Sequence, residues 1–290
     1  MQYICGTENV AENVPLATKT TFGIGGNARF FVKCPTKQSL IRLASALNYI
    51  EEKYIIIGNG SNILASDNGF DGVVIKPAFR DITENQLFIY ADAGATLAEV
   101  AAFARVRELG GLEWAGGIPA TVGGAVAMNA GAFSGQISDI VVMVDVLVDG
   151  KLVTLDVRQC KFGYRSSTFA KNRNIIILGA YFFLSRGNYD EIVAKENQYR
   201  DRRNATQPKG RSAGSIFKKP SPDFFVGKVI EELGLKGTTR GGATISPQHA
   251  GFIVNTGNAT QADVMYLVRL IKRKVYETHG VRLKLEVVQI

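Results

Sequence analysis

The chain has 290 residues, more than the roughly 100 to 200 residues of a usual single domain, so two or three cooperating domains are expected. Hydrophobic residues make up 46% and charged residues 21%, and no apolar run approaches the roughly 18 to 20 residues that span a bilayer. This composition excludes disordered, collagen-like and membrane-spanning proteins. The net charge is +8, but residues 1–150 carry 10 basic and 15 acidic side chains, whereas residues 151–290 carry 24 and 11. The basic second half indicates a solvated basic surface, a nucleic acid partner or a phosphate-bearing small ligand.

The residue types that make disulfides and metal sites are scarce. The three cysteines, Cys5, Cys34 and Cys160, are far apart and form no C-x-x-C pair, which predicts reduced thiols. His249 and His279 are the only histidines and do not have H-E-x-x-H spacing, so no metal site is expected. The segment MQYICGTENVAENV lacks the basic and apolar regions of a secretory signal, which favours a cytoplasmic protein.

Helical and strand patterns alternate in the first part of the chain. The segment TKQSLIRLASALNY places its apolar residues on one face after Thr36, a suitable N-cap, and predicts a helix over 36–49. Short strands are predicted in YIIIG, VVIK and LFIYADA. The segment IVVMVDVLVDGKLVTL predicts two more strands joined by a hairpin turn at 148–151.

Further helices are indicated by caps and by amphipathic spacing. Thr96 and Glu99 form a capping-box pattern that opens the helix TLAEVAAFARVREL, and Gly110 is the predicted glycine after its C-terminus. After the strand IIILGAYFFL, a polar helix is predicted over about 190–204, with a domain boundary near 186–210. The last third predicts a compact α+β module with helices at 224–233 and 261–279 and strands in AGFIVN and RLKLEVVQI.

Glycines cluster in several loops, and two of these clusters suggest a cofactor. The sequence GNGSN is not G-x-G-x-x-G, and no acidic residue follows it within a clear βαβ unit, which disfavours a Rossmann domain. The loops 58–62 and 116–131 are instead predicted to hold one pyrophosphate through backbone N–H groups and the hydroxyls of Ser61 and Thr121. The alternative is that these glycines form ordinary tight turns.

Seven motifs in a fixed order carry a family resemblance: TTFGIGGNARFF, IIIGNGSNIL, GIPATVGGAVAMNAGAF, FGYRSSTF, AGSIFKKP, SPQHAGFIVN and LEVVQI. Together they span nearly the whole chain, and they resemble the UDP-N-acetylenolpyruvoylglucosamine reductase (MurB) family in its shorter form. The resemblance implies an α+β protein, with an FAD-binding domain of the vanillyl-alcohol-oxidase (PCMH) type and a smaller α+β substrate-binding domain. It implies FAD-binding subdomains at 1–75, completed by a strand near 286–290, and at 76–188. A linker helix and the substrate-binding domain follow over 189–285.

The resemblance also implies a reaction. In this family NADPH reduces FAD, which passes hydride to UDP-N-acetylglucosamine enolpyruvate and so forms UDP-N-acetylmuramate for peptidoglycan synthesis. The implied partners are therefore NADPH and a UDP-sugar enolpyruvyl ether, without nucleic acid or membrane insertion. The FAD is expected to be non-covalent, because both histidines lie beyond residue 248 and no glycine-loop motif contains a cysteine.

Three residues match the catalytic positions of the family. Arg165, in FGYRSS, matches the arginine that stabilises the enolate; a surface salt bridge is its alternative. Ser215, in AGSIFKKP, matches the serine that protonates C2; without the match it is a loop or cap residue. Glu286, in RLKLEVVQI, matches the C-terminal glutamate that assists enolate stabilisation. Burial on the apolar strand could keep Glu286 protonated, whereas strand alternation fits an outward-facing carboxylate equally well.

The ligand-binding residues follow from the same resemblance. Arg203 is expected near the substrate diphosphate; Lys219 replaces the more usual asparagine of F-K-N-P, and His249 is either a substrate contact or a structural histidine. Two rivals remain open: a flavin oxidase of a sugar alcohol on the same cofactor fold, and a nucleotide- or nucleic-acid-binding module without redox chemistry. The residues predicted to bind FAD lie in the two glycine-rich loops: Gly58, Asn59, Gly60, Ser61, Asn62, Gly117, Ile118, Pro119, Thr121, Gly123, Gly124, Asn129, Ala130 and Gly131.

Overall fold

A computed structural model describes residues 1–172 and 174–290. The chain divides into two compact units. Unit A contains Met1–Glu12, Phe30–Asn59 and Gly72–Arg203, and unit B contains Asn13–Arg29, Gly60–Asp71 and Asn204–Ile290. Each unit has its own hydrophobic core. Within the described ranges, no helix is both long enough and apolar enough to cross a bilayer. The three-part division predicted from the sequence stays a prediction.

The described residues form eight α-helices and eighteen strands. The helices are α1 (Gln2–Cys5), α2 (Lys37–Tyr49), α3 (Leu97–Arg105), α4 (Val122–Met128), α5 (Thr168–Lys171), α6 (Tyr189–Thr206), α7 (Val226–Glu232) and α8 (Gln261–His279). The strands are β1 (Val10–Pro15), β2 (Asn27–Cys34), β3 (Tyr54–Ile56), β4 (Ile63–Leu64), β5 (Phe70–Pro77), β6 (Ile82–Asn85), β7 (Phe88–Asp92), β8 (Leu109–Gly110), β9 (Gly131–Ala132), β10 (Gly135–Gln136), β11 (Val141–Val148), β12 (Lys151–Asp156), β13 (Ile175–Phe183), β14 (Ser185–Arg186), β15 (Thr239–Arg240), β16 (Ala243–Ile245), β17 (Ile253–Asn255) and β18 (Val288–Gln289).

Unit A is built around a five-stranded sheet with strand order β12-β11-β13-β7-β6, and all of its pairs are antiparallel. Helices α3 and α4 bury apolar residues such as Leu97 and Val126 in the same core as Phe182 of β13. The predicted hairpin between β11 and β12 is present. Asp149 and Gly150 both have positive φ, 48° and 75°, which matches the right-handed twist of the two strands. A separate sheet has the order β1-β2-β5-β3, in which β3 and β5 run parallel.

The two predicted N-caps in unit A are confirmed, but the predicted glycine stop after α3 is wrong. Thr36 caps α2, and Thr96 with Glu99 forms the capping box of α3. Helix α3 ends at Arg105, and the residue with left-handed backbone after it is Glu108, with φ 56°. Gly110 instead pairs with Ser185 in the β8–β14 ladder. The chain therefore turns two residues earlier than the glycine pattern predicts.

Unit B combines the three-stranded sheet β15-β16-β17 with helices α7 and α8. Helix α8 spans the predicted residues, is capped by Thr260 and ends at Gly280, whose φ is 66°. Its buried stripe includes Leu267 and Ile271, which pack in one core with Ile245 and Phe22. Near the C-terminus, β18 pairs in parallel with β4.

Candidate functional site

The predicted cofactor loops approach each other within unit A. A Cβ atom added to Gly58 would overlap Thr121 Oγ1 and would lie 3.3 Å from both Thr121 Cβ and Cγ2, so this position requires glycine. Asn59 Nδ2 donates to the Pro119 carbonyl at 3.4 Å, and Lys76 Nζ donates to Asn59 Oδ1 at 3.3 Å. The structure therefore brings residues 58–59 together with residues 119–121.

The two loops differ in the state of their backbone N–H groups. In the part of the chain that the structure describes, none of the N–H groups of residues 58–62 donates to a protein acceptor. At the start of α4, by contrast, the N–H groups of Val122 and Gly123 donate to carbonyls at 2.7 and 2.9 Å, and that of Gly124 donates to Thr121 Oγ1 at 3.4 Å. Successive backbone N–H groups that have no protein acceptor can bind phosphate oxygens. The loop 58–62 therefore fits a pyrophosphate better than the first turn of α4 does.

Arg165 lies in a tight turn of unit A. Gly163 and Ser166 exchange two backbone hydrogen bonds, at 3.0 and 3.1 Å, and Arg165 has left-handed backbone with φ 49°. Its Nη1 donates to the Asn129 carbonyl at 3.3 Å and its Nη2 to the Gly131 carbonyl at 2.6 Å. The two carbonyl oxygens fix the plane of the guanidinium, which is half-buried and faces the loop after α4.

Asn129 ends α4 in left-handed conformation, with φ 44°, and only 1% of the residue is exposed. Its Nδ2 donates to the Gly163 carbonyl at 3.0 Å and to Ser138 Oγ at 3.2 Å, and its Oδ1 accepts from the Ser138 N–H at 2.9 Å. Donor and acceptor are thus both engaged within the protein. The predicted contact of Asn129 with FAD stays a prediction, while its side chain has a clear internal role.

A cavity of about 230 Å³ in unit A is lined by α3, α6 and the glycines at 116–117. Arg203 of α6 reaches into it, and a Cβ atom added to Gly117 would lie 2.7 Å from Arg203 Nε, so the guanidinium packs directly against the loop. Phe133 and Tyr199 stack with ring centroids 4.8 Å apart, and Arg203 Cζ lies 5.5 Å from the Phe133 ring. Burial lowers the pKa of the Arg203 guanidinium, which marks a partly desolvated cation suited to an anionic ligand.

Ser215 and Glu286 belong to unit B, on two neighbouring extended segments. Ile216, next to Ser215, donates its N–H to the Gly251 carbonyl at 3.0 Å and accepts from the Glu286 N–H at 2.8 Å. Asn62 Nδ2 donates to the Glu286 carbonyl at 3.1 Å. The structure therefore brings together Ser215, Glu286 and one residue of the predicted pyrophosphate loop. The side chain of Glu286 is half-buried, between the two alternatives that the sequence left open.

His249 and Lys219 also lie in unit B and differ in environment. The Gly251 N–H donates to His249 Nδ1 at 3.1 Å, and the imidazole packs edge-on against Phe252 with a centroid distance of 4.9 Å. Burial lowers the pKa of His249, so at neutral pH the ring is uncharged and carries its proton on Nε2. Lys219 is exposed, with Nζ 4.3 Å from the centroid of the Phe225 ring.

Several contacts of the folded chain were not predicted from the sequence. The stacked pair of Phe133 and Tyr199 was not predicted, although Glu196, Tyr199 and Arg203 recur at helical spacing along the polar helix α6 and all line the cavity. The approach of Cys5 to Cys34, with sulfur atoms 3.8 Å apart, was not predicted either. No local signal in the sequence indicates that pair, because 29 residues separate the two cysteines.

Comparison with known proteins identifies two domains in this chain and the family to which it belongs. A model of an FAD-binding domain matches residues 28–156, so the chain contains an FAD-binding domain, and the predicted α+β class is confirmed. A second model, described as the C-terminal domain of UDP-N-acetylenolpyruvoylglucosamine reductase, matches residues 206–290. The chain belongs to the UDP-N-acetylenolpyruvoylglucosamine reductase family, as the sequence motifs predicted.

Curated relatives and a solved structure agree over nearly the full chain. The reductase of Caldanaerobacter subterraneus subsp. tengcongensis is 42% identical, over 95% of this chain and 91% of the relative. The reductase of Pseudothermotoga lettingae is 44% identical, over 94% of this chain and 95% of the relative. The crystal structure of the reductase from Thermus caldophilus superposes with a TM-score of 0.83 at 36% identity, covering 95% of this chain and 97% of that one.

Proposed function

We propose that this protein is an NADPH-dependent, FAD-containing reductase that converts UDP-N-acetylglucosamine enolpyruvate to UDP-N-acetylmuramate. The observation that carries the proposal is the combination in one chain of an FAD-binding domain at 28–156 with a family-specific C-terminal domain at 206–290. Relatives named UDP-N-acetylenolpyruvoylglucosamine reductase align with this chain over at least nine tenths of their length. The activity supplies a precursor of peptidoglycan, and nucleotide sugars and NADPH favour a cytoplasmic location.

The residues of loop 58–62 fit the cofactor. The N–H groups of this loop have no protein acceptor in the described chain and can donate hydrogen bonds to a pyrophosphate, and Gly58 lies close to Thr121 of the second loop. When bound, FAD supplies a two-electron carrier between NADPH and the substrate. The same two loops contain the remaining residues predicted to hold FAD, from Gly117 to Gly131.

Arg165 is assigned to the charge that develops on the substrate. Addition of hydride to C3 of the enolpyruvyl group places negative charge on C2 and on the attached carboxylate. A guanidinium held in a fixed plane by two carbonyls stabilises this charge without having to reorganise, which is the most effective form of electrostatic catalysis. Because the guanidinium is already held in place before the reaction, a catalytic role for Arg165 is favoured over a surface salt bridge.

Ser215 is assigned to protonating C2, and Glu286 to assisting enolate stabilisation. Their main chains are linked through Ile216, so the two side chains are carried by adjoining segments of one small β structure. A hydroxyl can donate its proton to a carbanion when it is well placed, and a carboxyl group on a neighbouring segment can stabilise the developing charge. The pairing of these segments supports a joint role.

Arg203, Lys219 and His249 are assigned to substrate binding. The partly desolvated guanidinium of Arg203 in the cavity suits a diphosphate, and the exposed Lys219 can meet a phosphate as a point charge. His249 can offer only its Nε2–H, because Nδ1 already accepts the Gly251 N–H. The charge excess in the second half of the chain agrees with anionic small ligands and does not require nucleic acid.

The proposal is tested with the purified protein. We expect a yellow protein whose flavin is released into the supernatant by acid precipitation, and NADPH oxidation that depends on UDP-N-acetylglucosamine enolpyruvate. A colourless protein that takes up no FAD would favour the binding module. Turnover of sugar alcohols with oxygen, in the absence of turnover with the enolpyruvyl ether, would favour the oxidase. A yellow acid pellet would contradict non-covalent binding alone.

A further inference from the structure

Several of the hydrogen bonds that join two segments of unit A are made by one buried residue, Asn129. The first segment is the end of α4 with the loop that follows it, and the second is the turn Gly163–Ser166 that carries Arg165. The Asn129 side chain donates to the Gly163 carbonyl, while the Asn129 main-chain carbonyl accepts from Arg165 Nη1. Asn129 therefore makes two contacts with the turn: its side-chain amide binds the Gly163 carbonyl, and its main-chain carbonyl accepts a hydrogen bond from the Arg165 guanidinium.

The identity of the residue suits this position. The backbone of Asn129 is left-handed, a conformation that asparagine tolerates better than most residues with a side chain. Its amide also supplies a donor and an acceptor on one short side chain, and both are used: Nδ2 binds Gly163 and Ser138, and Oδ1 accepts the Ser138 N–H. Glycine would keep this backbone conformation but would leave the Gly163 carbonyl without the amide donor.

We propose that Asn129 is a positioning residue that sets the orientation of the Arg165 guanidinium through the Gly163–Ser166 turn. This inference rests on the proposed function only for its catalytic consequence. Loss of the Asn129 amide frees the turn to move relative to the loop at 129–131, so the two carbonyl acceptors no longer fix the guanidinium plane. A displacement of about 1 Å in such a group lowers the rate of a chemical step by up to about 10²-fold.

Asn129→Gly is the main test, and Ser167→Ala is its matched control. Ser167 Oγ is buried, donates to the Ala127 carbonyl at 2.6 Å and accepts from the Ala170 N–H at 3.2 Å. The control therefore removes a buried hydrogen bond between the same two segments and the N-cap of α5, without touching the acceptors of Arg165. Asn129→Ser is the second variant, because its hydroxyl is too short to reach the Gly163 carbonyl and its side chain restricts the backbone more than glycine does.

The first measurement does not depend on turnover. Phenylglyoxal reacts with the two terminal nitrogens of a guanidinium, and peptide mass spectrometry follows the modification of Arg165 alone. We expect this modification to be at least about threefold faster in Asn129→Gly and Asn129→Ser than in the wild type, and unchanged in Ser167→Ala. Equal rates in the wild type and both Asn129 variants would overturn the positioning role.

The second measurement places the effect in the reaction. In stopped-flow absorbance with FAD-saturated holoenzyme, we expect Asn129→Gly to slow reoxidation at least about threefold more than flavin reduction by NADPH, because loss of an FAD contact at Asn129 would affect both steps. Reoxidation by the enolpyruvyl substrate should slow by at least about 10-fold. In an Arg165→Ala background, the same substitution should slow reoxidation by less than about twofold, because Asn129 acts through Arg165. An equal loss in both backgrounds would overturn the inference.

The outcomes also separate this inference from the proposed function. If Arg165→Ala alone reoxidises at the wild-type rate, the catalytic assignment of Arg165 fails, while faster modification of Arg165 in the Asn129 variants still supports the positioning contact. If Arg165→Ala slows reoxidation but Asn129→Gly and Asn129→Ser do not, Arg165 keeps its role and Asn129 loses its own. Slowing of both half-reactions in Ser167→Ala as well would identify general damage to this part of unit A.

Discussion

The approach of Gly58 to Thr121 makes a quantitative prediction about FAD affinity. In Gly58→Ala the new methyl group would overlap Thr121 Oγ1 and would lie 3.3 Å from Thr121 Cβ and Cγ2. Non-bonded heavy atoms settle at roughly 3.5–4.0 Å, so relief of the overlap requires a movement on the order of 1 Å between the two loops. The side-chain and backbone shifts that such overpacking forces cost about 1–3 kcal/mol.

Most of this cost should appear as lost affinity for FAD. Without cofactor, Gly58 can shift away from Thr121 because the hydrogen bond that joins Asn59 to the second loop, from Nδ2 to the Pro119 carbonyl, is long at 3.4 Å. FAD bound to both loops would draw them back together. Strain of about 1–3 kcal/mol then raises the Kd by about 5- to 150-fold. The assay is a titration of the apoprotein with FAD, in which quenching of the flavin fluorescence measures binding.

A double-mutant cycle with Thr121→Ala tests the physical reason. Removal of the threonine hydroxyl and methyl relieves the overlap, so Gly58→Ala should cost much less affinity in the Thr121→Ala background than in the wild type. Thr121→Ala alone should lower stability by about 1 kcal/mol, because Thr121 caps α4. An unchanged Kd in Gly58→Ala, or an equal loss in both backgrounds, would refute the steric argument.

Three further predictions concern the catalytic segments and a buried thiol. Ser215→Ala should leave flavin reduction by NADPH near the wild-type rate and slow reoxidation by substrate by about 10²-fold or more, as measured by stopped-flow absorbance; slowing of both phases would make Ser215 structural. Glu286→Gln should retain appreciable reoxidation if Glu286 acts as a protonated donor and should be nearly inactive if it acts as an ionised base, while wild-type rates in Glu286→Ala would remove it from the site. Burial raises the pKa of Cys160 to about 11, so iodoacetamide at pH 8 should label it only after unfolding, as followed by mass spectrometry; rapid labelling of native protein would contradict its burial.

Features that depend on neighbours along the chain could be predicted from the amino-acid pattern. The caps of α2 and α3 and the hairpin at Asp149–Gly150 were predicted correctly, because each depends on hydrogen bonds or backbone preferences within about four residues. The ordered motifs predicted the family and the FAD-binding domain, and the comparisons confirm both. The local rule failed at Gly110, because strand pairing with Ser185 decided the conformation of this residue.

The way in which the site residues are held depends on contacts between distant parts of the chain. The Asn129 side chain meets a turn 34 residues further along the chain, and Glu286 meets Ile216 across 70 positions. Helical or strand periodicity cannot predict contacts between residues so far apart in the sequence. The two glycine-rich loops looked equivalent in the sequence. In the described chain, however, the N–H groups of residues 58–62 have no protein acceptor, whereas those of the first turn of α4 donate to the carbonyls of residues 93 and 95. Backbone donors are satisfied by whichever acceptors packing brings near, so their availability to a ligand is a property of the folded chain.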